Sequence, residues 1–97
     1  FAEASLRGAE LIRCEAARAD FAEADMTGAF LHRANLTGTS FRGAKLAGAE
    51  FNHADLRDAD FSGADLTGVD FHKARIDGAV FAGATLDGAR GLPDDIG

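Results

Sequence analysis

Every fifth residue of this chain is apolar and nearly always large, and the register holds from Phe1 to Leu86. The series opens Phe1, Leu6, Leu11, Ala16, Phe21, Met26 and closes Phe71, Ile76, Phe81, Leu86. A second, smaller series stands two residues ahead of it. Every fifth position from 4 to 89 is alanine in fifteen of eighteen cases, the exceptions being Cys14, Thr39 and Val69. A period of five fits neither an α-helix, at about 3.6 residues, nor a flat strand, at about 2.

The repeating unit is therefore small apolar, polar, large apolar, polar, often glycine. Its first three positions alternate in, out, in, as a short strand does with one face buried. Its last two are polar and glycine-rich, as a turn requires. A strand and a turn repeated every five residues close into coils, and stacked coils make a parallel β-solenoid. Longer periods set the number of sides. At a step of twenty, Phe1, Phe21, Phe41, Phe61 and Phe81 are all phenylalanine, and Gly8, Gly28, Gly48, Gly68 and Gly88 are all glycine. At a step of fifteen, Phe1, Ala16, Leu31, Leu46, Phe61 and Ile76 are mixed. A ten-residue Phe/Leu alternation from Phe41 onward imitates part of the twenty signal, but Leu11 and Leu31 break it in the first half. The sequence thus predicts four sides, twenty residues per coil and four to five coils. Phe21 should stack on Phe41, and Ala16, at a large-residue site, should thin the first coil.

This register resembles the pentapeptide repeat family, with its A-[DN]-L-x-x or A-[DN]-F-x-x motif. Ala34-Asn35-Leu36, Ala54-Asp55-Leu56, Ala59-Asp60-Phe61 and Ala64-Asp65-Leu66 match it directly. The resemblance covers residues 1–90 and implies an all-β, right-handed quadrilateral parallel β-helix. It implies no single activity.

Residues 9–25 are rich in helix formers, which offers a terminal helix as a rival. Ala9, Cys14, Ala19 and Ala24 keep the five-register through that stretch and favour the coil. Gly91-Leu92-Pro93 puts leucine one place late, and proline cannot donate to a ladder. Residues 91–97 are thus expected to form a C-terminal cap or tail. No matching cap precedes Phe1, so the first coil is expected to offer a bare edge for end-to-end self-association. The chain starts without methionine, which points to trimming or excision from a longer protein.

Composition bounds the function. Ninety-seven residues allow one domain. A formal charge of −6 argues against direct nucleic-acid binding and leaves open a basic partner or a surface that imitates nucleic acid. The single cysteine excludes an internal disulfide framework. No apolar run approaches the length of a membrane span, no membrane contact is expected, and the default location is cytoplasmic.

Stacking by twenty converts the sequence into surface columns. One reads Arg13, Arg33, His53, Lys73, its neighbour reads Ile12, His32, Asn52, His72, and across the same face stand Glu10, Phe30, Glu50, Asp70. A basic ladder is unexpected in an acidic protein, because like charges stacked at strand spacing repel. Either Glu10, Glu50 and Asp70 balance it, or it meets a partner. Ile12, Arg13, Phe30, His32, Arg33, His53 and Lys73 make up the candidate protein-contact patch, although isolated exposed apolar residues are ordinary.

No other constellation carries chemistry. Cys14 reads as a buried small hydrophobe. His32 and His72 lie two coils apart, too far to share a zinc ion, and nothing completes a set around His53. Asp55, Asp60, Asp65 and Asp70 project from four different sides and cannot pair as acid and base. The chain is expected to have no catalytic, cofactor or metal site. Two functions follow. One is a noncatalytic scaffold for protein–protein interaction with an unknown protein partner. The other, implied by resemblance to quinolone-resistance pentapeptide proteins, is a DNA mimic that binds or protects a type II topoisomerase, gyrase.

Corner chemistry gives a last expectation. A type II turn needs positive φ at its third residue, which glycine accepts readily. The all-glycine corner should be type II, whereas the corner at Arg13, Arg33, His53 and Lys73 should use another turn with negative φ. Turn type should then follow the column.

Overall fold

Four short strands and four turns per twenty residues leave each coil with unpaired backbone edges, which stacking must satisfy. The structure, a computed structural model, describes residues 2–93. Parallel pairing links Ser5 to Asp25, Glu10 to Phe30, Glu15 to Asn35 and Asp20 to Ser40, and the same step of twenty continues to Asp70 with Arg90. The fold is the all-β quadrilateral parallel β-helix, with twenty residues per coil. The molecule measures 30 × 22 × 20 Å.

One hydrogen-bond scheme repeats in every unit that has a neighbouring coil on both sides. The amide of the residue between the two inward positions donates back one coil, as Asp25 does to the Ala4 carbonyl at 2.9 Å. The amide of the large inward residue donates forward, as Leu6 does to the Asp25 carbonyl at 2.7 Å. The third turn residue also donates forward, as Gly8 does to Thr27 at 2.9 Å, and the small inward residue closes the turn, as Ala9 does to Leu6 at 3.0 Å. That leaves one amide of the five, on the second turn residue, without a backbone acceptor.

A side chain supplies the missing acceptor and explains the Asp/Asn position of the motif. Asp65 Oδ1 accepts the Thr67 amide at 3.1 Å and the Thr67 hydroxyl at 2.6 Å. Asp25 with Thr27, Asn35 with Thr37 and Asp60 with Ser62 repeat the arrangement. Each of these four side chains is thus bonded within its own turn. Replacing Asp65 by alanine should cost about 0.5–1.5 kcal/mol, the net value of such a bond. Asn, which keeps the acceptor, should cost less. Equal losses on chemical denaturation would show that charge, not the amide bond, is what matters.

Inside, the phenylalanines form two columns. Phe21, Phe41, Phe61 and Phe81 stack with centroid spacings of 5.5, 4.9 and 5.3 Å and planes within 9°. Phe51 stacks on Phe71 at 5.5 Å, and the two columns meet edge to face, as Phe51 does with Phe61 at 5.9 Å and 84°. The rings form a herringbone in which stacking neighbours lie twenty apart and edge neighbours ten apart, with Met26, the buried leucines and the alanine methyls filling most of the remaining inward sites. Phe1 lies outside the described residues, so its place in the column is not described. Inward residues from Phe21 to Phe71 are buried, while Leu6, Leu11, Ile76 and Leu86 in the end coils are half-buried because they are covered from one side.

Residues 9–25 stay in the coil rather than forming the rival helix, as their turn bonds and parallel pairs show. At Ala16 the second coil helps to seal the first: the buried Thr39 hydroxyl donates to the Ala16 carbonyl at 2.8 Å. No pocket is found among the described residues. After Arg90 the chain leaves register, and Leu92 packs against the core. Residues 94–97, the remainder of the expected cap, lie outside the described residues.

The expectation for the corners is overturned. Arg13, Arg33, His53 and Lys73 have φ of 60°, 59°, 61° and 57°. Glu3, Arg18, Glu23 and Asp58 likewise stand near 61°. The turn bonds Cys14 to Leu11, Ala34 to Leu31, Ala54 to Phe51 and Ala74 to Phe71 close the same way as those at glycine corners. All four corners are therefore type II. The ladder explains why: Arg13 must donate to the His32 carbonyl, at 2.8 Å, just as Gly8 donates to Thr27. A different turn in one column would tilt that amide away from its acceptor in the next coil.

Candidate functional site

The glycine-free corner holds its side chains at the outermost point of the coil, because a residue with positive φ at the third turn position directs its Cβ away from the core. Arg13, Arg33, His53 and Lys73 are all exposed there. No carboxylate lies within ion-pair distance of Arg13, Arg33 or Lys73 among the described residues, in contrast to Arg7, Arg42, Arg57 and Arg90, which meet Asp25, Asp60, Asp55 and Asp70. Balance by the acids across the face does not occur at contact range. Glu50 holds His32 at 2.9 Å. Asp70 accepts from the Asn52 side chain at 3.2 Å and from the His72 amide at 3.0 Å. On the other flank, Glu15 accepts from Asn35 at 3.1 Å, and Asp55 is engaged by Arg57 at 2.7 and 2.9 Å.

The apolar part of the patch also lies where the columns predict. Ile12 is 48% and Phe30 36% exposed. Phe30 presents its ring to His32 edge to face at 6.2 Å. The structure adds two residues that the sequence placed in the neighbouring column without assigning to the patch. His72 meets His53 edge to face at 5.9 Å. Asn52 lies between His32 and His72 in its column and has its Oδ1 buried without a partner. Column position alone was the signal for both. No group of three metal-ligating side chains is present among the described residues, and Val80, also exposed, belongs to a different face. Cys14 is half-buried, and burial followed by the Glu15 carboxylate pushes its thiol up, away from the reactive thiolate.

Electrostatics single out His53. Partial loss of hydration, then repulsion from Arg33, Lys73, His72 and His32, holds its imidazole below the ordinary range. The Asp side chains of the turns move in the same direction for a different cause. Bonds from the side chains of Thr27, Arg57, Ser62 and Thr67 lower Asp25, Asp55, Asp60 and Asp65. Stability should therefore fall in two steps as pH is lowered. A depressed imidazole favours the neutral form in the folded state, so the unfolded chain takes up its proton first, near pH ~6.5, and stability falls until folded His53 itself titrates. A depressed carboxyl stabilises above its unfolded value of about 3.9 and loses that contribution as pH falls through the folded one. His53→Asn should remove the upper step and leave the lower. Denaturation midpoints measured across pH 3–8 check this, and an upper step that survives the substitution would contradict it.

Comparison with known proteins bears on the whole chain. A family model described as pentapeptide repeats matches in eight copies over residues 1–38, 34–72 and 64–90. Among solved structures, a pentapeptide repeat protein of the Arabidopsis thaliana thylakoid lumen shares 33% identity at a TM-score of 0.65, with 97% of this chain and 72% of that chain covered. QnrB1, a plasmid-mediated fluoroquinolone resistance protein, shares 27% identity at 0.60, with 92% of this chain but 46% of that one covered. HetL, involved in heterocyst differentiation regulation in the cyanobacterium Nostoc sp. strain PCC 7120, is similar in fold, with 22% identity, a TM-score of 0.50 and 95% and 65% coverage. This chain thus spans less than two thirds of the last two proteins. No curated protein matches it significantly.

Proposed function

The chain belongs to the pentapeptide repeat family, and we propose that it acts as a noncatalytic scaffold whose glycine-free corner contacts a protein partner. One observation carries this reading: three cations, Arg13, Arg33 and Lys73, stand in one exposed row without carboxylate partners, beside exposed Phe30 and Ile12. A stacked coil suits the role, because its surface is rigid and its rungs are evenly spaced. No helix among the described residues is long and apolar enough to cross a membrane. A cytoplasmic location goes with this reading. The Arabidopsis relative of the thylakoid lumen supplies the competing compartment, and fractionation of source cells decides between them.

The test is comparative. Proteins crosslinked to the wild type in source-cell extract are quantified against an Arg13→Gly, Arg33→Gly, Lys73→Gly variant. A second variant, Arg18→Gly, Arg42→Gln, Lys45→Gln, removes the same charge from other faces. A partner lost only from the first variant supports the reading, and a partner set equal across all three removes it.

A second reading rests on net acidity and on the similarity to QnrB1. In that reading the rod occupies the DNA site of a type II topoisomerase. The unpaired basic row opposes it. A gyrase supercoiling assay, with and without a fluoroquinolone, separates the two: relief of drug inhibition supports topoisomerase protection, and unchanged supercoiling ends it.

A further inference from the structure

We infer that the glycine-free corner is a docking site for a short acidic polypeptide segment, laid along the rod axis with its carboxylates on Arg13, Arg33, His53 and Lys73 and an apolar side chain against Phe30 and Ile12. This deepens the interaction reading above and rests on it.

Three observations converge. The first is unmet charge. Arg18, Lys45 and Arg75 also lack carboxylate partners among the described residues, but each is the lone cation of its column, whereas Arg13, Arg33 and Lys73 share one row, and Glu50, Asp70, Glu15 and Asp55 on its flanks are bonded to His32, Asn52, Asn35 and Arg57 instead. Those four acids are thus engaged, and among the described residues no carboxylate meets the row at contact range. The second is preorganisation. Each rung is closed by a turn bond, and Arg13, Arg33 and His53 also donate to the next coil, as Arg33 does to the Asn52 carbonyl at 2.9 Å, so the side chains keep their spacing with or without a ligand. Rungs stacked at about 4.8 Å put the four positions along some 15 Å, the reach of four to five extended residues. The third is the apolar neighbour. Phe30 and Ile12 lie on the adjoining column and face, and a purely ionic ligand would leave them uncovered.

The same geometry selects a peptide over a nucleic acid. The basic row is one residue wide, Glu10, Glu15, Glu50 and Asp55 flank it, and the whole chain carries −6. A polyanion wider than the row would meet those flanking carboxylates. A membrane surface, which is flat, would meet those same flanks.

The experiment uses the full chain labelled with nitrogen-15. It is titrated with a capped pentapeptide of alternating glutamate and leucine, with a lysine-for-glutamate counterpart, with single-stranded oligothymidylate and with phosphatidylserine vesicles. The acidic peptide should shift amides near Ile12, Phe30, Arg33, His53 and Lys73 and leave the opposite corner at Gly43 and Gly63 unmoved. Binding should weaken at least tenfold in the Arg13→Gly, Arg33→Gly, Lys73→Gly variant, and no more than twofold in the Arg18→Gly, Arg42→Gln, Lys45→Gln variant. Glycine suits the positive φ of the first variant, so lost binding there is not lost folding. Shifts spread evenly over the surface, or equal weakening in both variants, would overturn the proposal. So would tighter binding of the oligonucleotide or the vesicles at the same corner. If the acidic peptide fails while the cellular partner is still lost from the corner variant, the interaction surface stands and the acidic ligand is wrong. If both fail, the surface itself is wrong.

Discussion

Replacing Phe61 by alanine should lower stability by about 3–5 kcal/mol, the range for truncating a buried aromatic side chain. Phe61 is fully buried and touches four other rings. It stacks on Phe41 at 4.9 Å and Phe81 at 5.3 Å and meets Phe51 and Phe71 edge to face at 5.9 Å. Neighbouring coils cannot close the gap, because each is pinned to the next by interstrand bonds such as Phe61 to the Val80 carbonyl at 2.7 Å. The loss falls at the middle of a one-dimensional stack, where both neighbouring interfaces depend on it. Phe30→Ala should cost clearly less, because Phe30 is 36% exposed and leaves no interior cavity when truncated. Denaturation midpoints of the two variants, measured side by side, decide. Equal losses would mean that the ring assigned to the core and the ring assigned to the surface are not distinguished by the fold.

That contrast was legible in the sequence because the inward positions are fixed by a period that never slips. Phe21 over Phe41, the twenty-residue coil and the outward placing of Phe30 and Ile12 all follow from it. Two things did not follow. The first is the backbone of the glycine-free corner. Local preference reads Arg13, Arg33 and His53 as negative-φ residues, but their amides serve acceptors one coil away, and that long-range demand outweighs the local one. The second is charge pairing. Columns show that Glu50 and Asp70 lie near the basic ladder, but not which neighbour they choose. The choice is diagonal: His32 reaches Glu50 and Asn52 reaches Asp70, each eighteen residues on. A column of identical spacing cannot reveal a diagonal bond, so the site's composition was readable and its unmet charge was not.

Substituting glycine at all four positions of that corner, Arg13, Arg33, His53 and Lys73, should stabilise the protein by roughly 2–4 kcal/mol. A side chain held in the left-handed region costs about 1–2 kcal/mol, and glycine gives back about 0.5–1 kcal/mol through the entropy of its unfolded chain. The difference is about 0.5–1 kcal/mol per rung, and relief of like-charge repulsion between stacked cations adds to it. For a chain of this length the midpoint of thermal unfolding should rise by roughly 10–20 °C. The reverse substitution calibrates the estimate. At Gly68 an added Cβ would meet nothing within 4 Å, so Gly68→Ala tests the backbone alone and should cost about 1 kcal/mol. A quadruple variant no more stable than wild type, alongside a destabilised Gly68→Ala, would mean that the ladder of side chains holds itself together by contacts that outweigh the strain. If the quadruple variant is more stable and loses the acidic peptide, the corner trades folding stability for a row of cations. A scaffold that needed only to stack would have no physical reason to carry them.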